Sequence, residues 1–236
     1  MRRTKILTGV ALALVLGAAC VPALSTPGIT TSIQLVSTTQ ISGWQVEYYR
    51  NTAYPCSISG YQTFIVGHPI GLARTTARPL WTYMHGGGVG YFDAAGTPQP
   101  NDAFMREESL NSLVATSGLM GRVLSDPAGF RVLAVSMCNR DLYTAGALPD
   151  PNNPNLLPSG ARRTTNGFIA TKAAIQFTRT RFTTGKFFLH GGSAGSAGTY
   201  SVAWGLQQQG IAPAGIVADS YVVNTDFVAA VESQGI

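Results

Sequence analysis

Charged side chains are scarce in this sequence. Lys, Arg, Asp and Glu make up 11% of the 236 residues, whereas apolar residues make up 45%, and an average domain has about a quarter of its residues charged. Such a high apolar content can offset the entropy lost on ordering the chain, which argues against a disordered protein. The formal net charge of +5 falls to +2 without residues 1–23, and the remainder shows no clustered Lys/Arg face. We therefore expect no nucleic-acid partner.

Cysteine is also rare, with three residues in the chain. No CxxC pair and no Cys/His ligand spacing is present, so we predict no metal site. Cys56 and Cys138 remain if residues 1–23 are removed. They would form a disulfide in an oxidising compartment or stay as two buried thiols. We also expect no cofactor, because no lysine follows the most glycine-rich turn and the dinucleotide fingerprint is absent.

The amino terminus has the pattern of an export signal. A basic start, MRRTK, precedes an apolar run from Ile6 to Ala19, which is too short to cross a bilayer comfortably. This predicts a signal peptide over residues 1–23, cleaved after Ala23, and a secreted or extracytoplasmic protein. An alternative exit is a lipobox ending at Cys20, and only its lipidation would attach the chain to a membrane.

The rest of the chain alternates between strand and helix patterns. Residues 24–42 are rich in Ser and Thr and predict a linker, followed by one domain over residues 43–236. Strands are expected near 44–49, 61–66, 80–84, 130–138, 186–190 and 215–221, and helices within 101–124, 165–182 and 194–209. Strand–helix alternation in the second half predicts parallel crossovers, hence an α/β fold with helices on both faces of a mostly parallel sheet.

A candidate nucleophile lies in the segment FFLHGGSAGSAGTY. Gly191, Gly192, Ser193, Ala194 and Gly195 match G-x-S-x-G, directly after a predicted strand and before a predicted helix. A catalytic serine on such a sharp turn needs small neighbours, and the helix amino terminus favours negative charge that develops beside it. The alternative is a glycine-rich turn without catalysis.

A second motif strengthens the catalytic interpretation. The segment LWTYMHGGGVGYFD places His85 and three glycines, Gly86, Gly87 and Gly88, at the end of an earlier predicted strand. In α/β-hydrolases such a loop and the residue after the nucleophile supply N–H donors for the oxyanion hole. We therefore predict an oxyanion hole at Gly86, Gly87, Gly88 and Ala194, with His85 bracing the loop by hydrogen bonds.

These two motifs resemble those of the pectin acetylesterase and Notum-like carboxylesterases. Looser similarity extends to YPCSISGYQTFIV, VLAVSMCNRDLYTAG and GIVADSY, so that the resemblance covers roughly residues 54–221. It implies an α/β-hydrolase fold and a serine esterase. Two positions depart from the family pattern: Ser196 replaces a glycine, and Gly88 and Val89 stand where an aromatic residue is common. HGGG lipases of the hormone-sensitive type share both motifs and are the alternative.

The partners of Ser193 are harder to find. An α/β-hydrolase triad runs in the order Ser, Asp or Glu, His, yet His68, His85 and His190 all precede the serine. We expect His190 to be too near along the strand and His68 to be a solvated hairpin residue. Asp219 is a candidate acid of the triad. The alternative is that its carboxylate accepts hydrogen bonds from N–H groups of a loop.

The family resemblance places the acid and the histidine beyond residue 236. The sequence is therefore expected to be the amino-terminal portion of a longer hydrolase that lacks the carboxy-terminal strands. The predicted function is hydrolysis of acyl or acetyl esters, on a small molecule or a polysaccharide, through an acyl-enzyme. The alternative is a catalytically inactive, secreted binding or scaffold module on a degenerate hydrolase fold.

Overall fold

The computed structural model describes residues 32–87, 91–99, 118–137 and 141–220. The strands are β1 (Ile33–Ile41), β2 (Trp44–Asn51), β3 (Gln62–Pro69), β4 (Arg78–Met84), β5 (Tyr91–Phe92), β6 (Pro98–Gln99), β7 (Arg131–Val135), β8 (Leu148–Pro149), β9 (Thr164–Thr165), β10 (Thr184–Gly192) and β11 (Gly215–Asp219). The helices in this part of the chain are α1 (Gly118–Ser125), α2 (Gly167–Arg181) and α3 (Ala194–Gln207). The predicted signal peptide lies outside these residues.

Seven strands form one mixed sheet in the order β1-β2-β3-β7-β4-β10-β11. The pairs β1–β2, β2–β3 and β3–β7 are antiparallel. Strands β7, β4, β10 and β11 run parallel to one another. This strand order, with the glycine-rich turn directly after β10, is an α/β-hydrolase fold and confirms the predicted fold class. Short pairs β5–β6 and β8–β9 lie outside the main sheet.

The central strand β7 is buried along its whole length, as its continuous apolar sequence predicts for a strand covered on both faces. On one face, Leu133 belongs to a core cluster with Ile175 of α2 and Val202 of α3. On the other face, Val132 belongs to a cluster with Val123 of α1. Helices therefore cover both faces of the sheet.

Strand β1 corrects the predicted linker. Residues 33–41 pair with β2 along their length, with one irregularity between Leu35 and Ser37. Most of β1 is exposed, so its composition is that of a surface segment. Its β-branched residues nevertheless suit an edge strand, where backbone hydrogen bonds and not burial hold the chain. The linker prediction is therefore wrong for Ile33–Ile41.

Parallel pairing brings the ends of β4, β7 and β10 to one edge of the sheet. Met84 aligns with both Val135 and Gly191. The His85 loop and the Ser193 turn follow immediately after these aligned residues. This carboxyl edge is where ligands bind in open α/β sheets, and here it carries both sequence motifs.

Candidate active site

Ser193 occupies a strained turn between β10 and α3. Its backbone has φ 50° and ψ −117°, close to the first central position of a type II′ turn, which glycine favours. A residue with a Cβ adopts this conformation at a cost of order 1–3 kcal/mol. The side chain is exposed. This is the conformation that a nucleophile elbow requires.

The outer glycines of the motif allow strand and helix to approach closely. A Cβ on Gly191 would lie 2.1 Å from the carbonyl oxygen of Gly195. A Cβ on Gly195 would lie 2.0 Å from the carbonyl oxygen of Met84 at the end of β4. Any side chain at either position would displace backbone atoms, so both glycines are needed for the turn to form here.

Backbone contacts to β11 hold the turn in place. The N–H of Ser193 donates to the carbonyl oxygen of Asp219 at 2.8 Å. The hydroxyl of Ser196 is buried and lies 2.6 Å from the same oxygen and 2.7 Å from the carbonyl oxygen of Gly191. Ser196 therefore ties α3 to the two neighbouring strands, and its hydroxyl is engaged within the fold.

The glycine loop after β4 lies directly against the candidate nucleophile. A Cβ on Gly86 would lie 2.7 Å from the Cβ and 3.4 Å from the Oγ of Ser193. Gly87, the next residue, is exposed. The structure thus brings the predicted oxyanion loop and Ser193 together; Gly88 lies outside the described residues.

His85 braces this loop. The backbone N–H of Met137 donates to its Nε2 at 3.0 Å, so the neutral ring carries its proton on Nδ1. That nitrogen donates to the carbonyl oxygen of Gly86. The phenol oxygen of Tyr143 lies 3.2 Å from the carbonyl oxygen of His85 and 3.0 Å from that of Val135. Both ring nitrogens of His85 are therefore committed to backbone groups.

The contacts of His190 do not suit a catalytic base for Ser193. The indole N–H of Trp81 donates to its Nδ1 at 3.4 Å, and its ring also packs on Tyr83. Burial lowers the pKa of His190, although the charge of Asp219 opposes this shift. Among the hydrogen bonds of the described residues, none joins this imidazole to Ser193.

His68 is buried, which contradicts the expected solvated hairpin. Only 4% of it is exposed, and its Nε2 lies 3.7 Å from a carboxylate oxygen of Glu47. Strand β3 runs antiparallel to β7, so its last residues lie at the edge of the sheet opposite Ser193. The three histidines of the sequence thus provide no base in hydrogen-bonding contact with Ser193.

The candidate acid, Asp219, is the last residue of β11 and aligns with Gly192. Its side chain is exposed, and the hydroxyl of Ser220 donates to its Oδ1 at 3.0 Å. Its carbonyl oxygen, and not its carboxylate, holds the serine turn. The carboxylate therefore stands at the carboxyl edge of the sheet, and its role as a triad acid stays a prediction.

No protein-family model matches the chain, and no curated protein matches it either. Solved structures with a similar fold include three esterases or hydrolases. They are brefeldin A esterase, a bacterial homologue of human hormone-sensitive lipase (17% identity, TM-score 0.42), an S-formylglutathione hydrolase from Agrobacterium tumefaciens (13%, 0.45) and the Wnt deacylase Notum from Drosophila (15%, 0.43).

The matched regions cover 78%, 72% and 79% of this chain, but only 42%, 56% and 53% of those structures. The chain thus spans about half their length. These identities and TM-scores say nothing about the activity of this chain.

The sequence predicts a loop after β7 but did not indicate that this loop supports the site. Leu142 and Tyr143 have positive φ values of 52° and 62°, and a Cβ on Gly198 would lie 2.7 Å from the Cβ of Tyr143. The loop therefore packs against α3 and supports the His85 loop. Its only sequence signal is the loose family similarity of DLYTAG, which names no role for Tyr143.

Asp141 anchors the same loop to α2. Its Oδ2 accepts the N–H of Gly167 at 2.6 Å and its Oδ1 accepts the N–H of Tyr143 at 3.0 Å. Burial raises the pKa of Asp141 to about 6, although these backbone donors oppose the shift. The carboxyl group thus joins the helix amino terminus to the Tyr143 loop.

Two further predictions concern cysteines and metals. Cys56 is disulfide-bonded, but Cys138 lies outside the described residues, so their pairing stays a prediction. Within the described ranges, no group of three or more His, Cys, Asp or Glu side chains could hold a metal ion. No helix in the same ranges is long and apolar enough to cross a membrane.

Proposed function

We propose that this chain provides the nucleophile and the oxyanion hole of a secreted serine esterase. The observation that supports this most directly is the contact between Gly86 and the exposed, strained Ser193. A glycine turn without a catalytic role would have no need for a serine at a position that glycine fills without strain.

The reaction that fits this geometry is acyl transfer. The Oγ of Ser193 attacks the ester carbonyl, and its proton passes to a base and then to the departing alcohol. Backbone N–H groups of Gly87, Gly88 and Ala194, with Gly86 beside them, stabilise the oxyanion. Water then attacks the acyl-enzyme, releasing the acid and regenerating the serine hydroxyl.

The base in this proposal comes from outside residues 1–236, because His68, His85 and His190 are held elsewhere. Asp219 remains the candidate acid within the chain. The proposed substrates are acyl or acetyl esters, on a small molecule or on a polysaccharide. A lipase-type acyl chain is the alternative that the HGGG motif leaves open.

The test compares the 236-residue chain with the product of any longer reading frame that contains it. A fluorophosphonate probe and p-nitrophenyl acetate report on the nucleophile and on turnover. We expect Ser193→Ala to abolish labelling of the longer product and to reduce its turnover by about 10⁴-fold or more. Ser37→Ala, which removes an exposed hydroxyl on the edge strand β1, should leave both unchanged.

The 236-residue chain itself is expected to turn over slowly, since the part of it that the structure describes places no base against Ser193. Rapid hydrolysis by this chain, lost in Ser193→Ala, would show that the base lies within it. A longer product that is folded but neither labelled nor active would favour the second candidate, an inactive binding module. The observation that keeps this candidate open is that no hydrogen bond among the described residues joins any of the three histidines to Ser193.

A further inference from the structure

A cavity lies beside the hairpin that follows the oxyanion loop. Its volume is about 600 Å³, within the roughly 300–1,000 Å³ typical of small-molecule sites. Ile58, Phe92, Pro98 and Leu156 provide apolar walls, and Arg163 is the charged residue among its lining side chains. None of these residues belongs to the site described above.

Three loops form the cavity, and each starts at the carboxyl edge of the sheet. They follow β2, β4 and β7, which share one direction because β3 is antiparallel to both β2 and β7. The cavity is therefore at the same edge as Ser193, where parallel sheets bind their ligands. It is also a distinct volume from the serine turn, whose residues do not line it.

Amide side chains fix the walls of this cavity. The Nδ2 of Asn153 donates to the carbonyl oxygen of Ser57 at 2.8 Å, and its Oδ1 accepts the N–H of Asn155 at 2.9 Å. The Nδ2 of Asn155 donates to the carbonyl oxygen of Gly96 at 2.8 Å. These bonds tie the three loops together, so that the cavity is built before any ligand enters.

Arg163 is the polar group that these contacts leave available. Its Nε donates to the carbonyl oxygen of Asn155 at 3.1 Å, which fixes the plane of the guanidinium. Among the described residues, no hydrogen bond or ion pair uses its two terminal nitrogens. In the same loop, the carboxylate of Asp150 accepts the hydroxyl of Ser57 and the N–H of Asn152. A positive charge with spare donors thus lines a cavity whose walls combine apolar side chains with amide groups.

We propose that this cavity binds a small organic carboxylate with an apolar body. The carboxylate pairs with the terminal nitrogens of Arg163, because a guanidinium matches a carboxylate in a planar, two-bond geometry. The apolar body packs against Phe92, Pro98 and Ile58. A phosphate fits less well, since its second negative charge would have no cation among the lining residues. The proposal is independent of catalysis at Ser193.

Benzoate and benzamide are matched probes, because they share a ring and differ in charge. Titrations of the whole chain, followed by the backbone amide resonances of residues 91–99 and 153–163, give both dissociation constants. We expect saturable benzoate binding, and at least about 10-fold weaker binding of benzamide. Arg163→Gln should weaken the binding of benzoate to the level of benzamide, and Arg163→Lys should weaken the binding of benzoate less. Arg122→Gln, on the exposed face of α1, should change nothing.

The proposal fails if benzamide binds as tightly as benzoate, or if Arg163→Gln binds benzoate like the wild type. It also fails if benzoate causes no saturable shift in these loops up to its solubility limit. Tighter binding of phenyl phosphate than of benzoate would overturn the choice of carboxylate. The benzoate–benzamide comparison uses the unaltered chain, so it remains decisive even if Arg163→Gln disturbs the Asn155 loop. None of these measurements depends on esterase activity.

Discussion

At the scale of single residues, Ser193 has a backbone conformation that opposes folding. Its φ of 50° with ψ −117° suits glycine and costs a serine of order 1–3 kcal/mol. The flanking glycines permit the turn, but they do not remove this cost, because the Cβ of Ser193 itself is the source of the strain. The chain keeps a serine where glycine would be more stable, as expected of a residue retained for its hydroxyl.

Replacing Ser193 should therefore separate strain from chemistry. Ser193→Gly is expected to raise the free energy of unfolding by about 1 kcal/mol, since relief of strain outweighs the roughly 0.5–1 kcal/mol entropic cost of a new glycine. Ser193→Ala keeps the Cβ and should stay near the wild-type value. Urea unfolding of the three proteins measures the difference. Equal stabilities of the glycine and alanine variants would show that the turn is not strained.

At the scale of elements, the loop after β7 positions the oxyanion loop after β4. Tyr143 reaches two carbonyl oxygens, of His85 and Val135, and so connects the ends of both strands. Its positive φ places the ring there, and Gly198 makes room for it on α3. The Gly86 loop is thus held from β7 and α3 as well as by its own strand.

Removal of the Tyr143 hydroxyl should loosen this arrangement without unfolding the protein. Tyr143→Phe is expected to cost about 1 kcal/mol of stability, the usual net value of one hydrogen bond. The amide resonances of Gly86 and Gly87 should shift or broaden in a ¹⁵N-glycine-labelled sample, while those of Gly43 and Gly160 stay in place. Tyr200→Phe, exposed on α3, is the matched control. Unchanged Gly86 and Gly87 resonances would exclude a positioning role for Tyr143.

At the scale of the whole molecule, periodicity and motifs were enough to predict the fold class and the approach of Gly86 to Ser193. Buried strands such as β7 have an unmistakable apolar run, and parallel pairing then aligns their ends. Strand β1 was missed because an exposed edge strand is specified by its partner and not by its own burial. The burial of His68 was missed because it depends on Glu47, a neighbour from another strand.

Two buried carboxyl groups make the stability of the whole domain depend on pH in opposite directions. For Glu47, burial alone would raise the pKa, but contacts with His68, Arg74 and Tyr49 together lower it well below its usual range. Arg74 donates to it at 2.7 Å. Asp141 has its pKa raised to about 6 from 3.8, mainly by burial. Glu47 therefore favours folding when ionised, and Asp141 favours folding when protonated.

The opposite directions of these two pKa shifts give two separate pH ranges in which the free energy of unfolding changes. The contribution of Glu47 is complete above its unfolded pKa of 4.5 and is lost as the pH falls towards its lowered folded value. The contribution of Asp141 is complete below its unfolded pKa of 3.8 and is lost as the pH rises through its folded pKa of about 6. That loss is about 3 kcal/mol, at roughly 1.4 kcal/mol per pKa unit.

Urea unfolding from about pH 3 to pH 7 should resolve both groups through the slopes of stability against pH. Asp141→Asn is expected to remove a decline of about 3 kcal/mol between roughly pH 4 and pH 6. The absolute free energy of unfolding of Asp141→Asn is less informative than the slope. The amide has only one oxygen in place of the two carboxylate oxygens that accept the N–H groups of Gly167 and Tyr143. Glu47→Gln should instead remove a loss of stability below about pH 4.5 and leave the decline above it intact. If Asp141→Asn keeps the wild-type slope between pH 4 and pH 6, Asp141 is ionised in the folded protein, and its two backbone donors outweigh its burial.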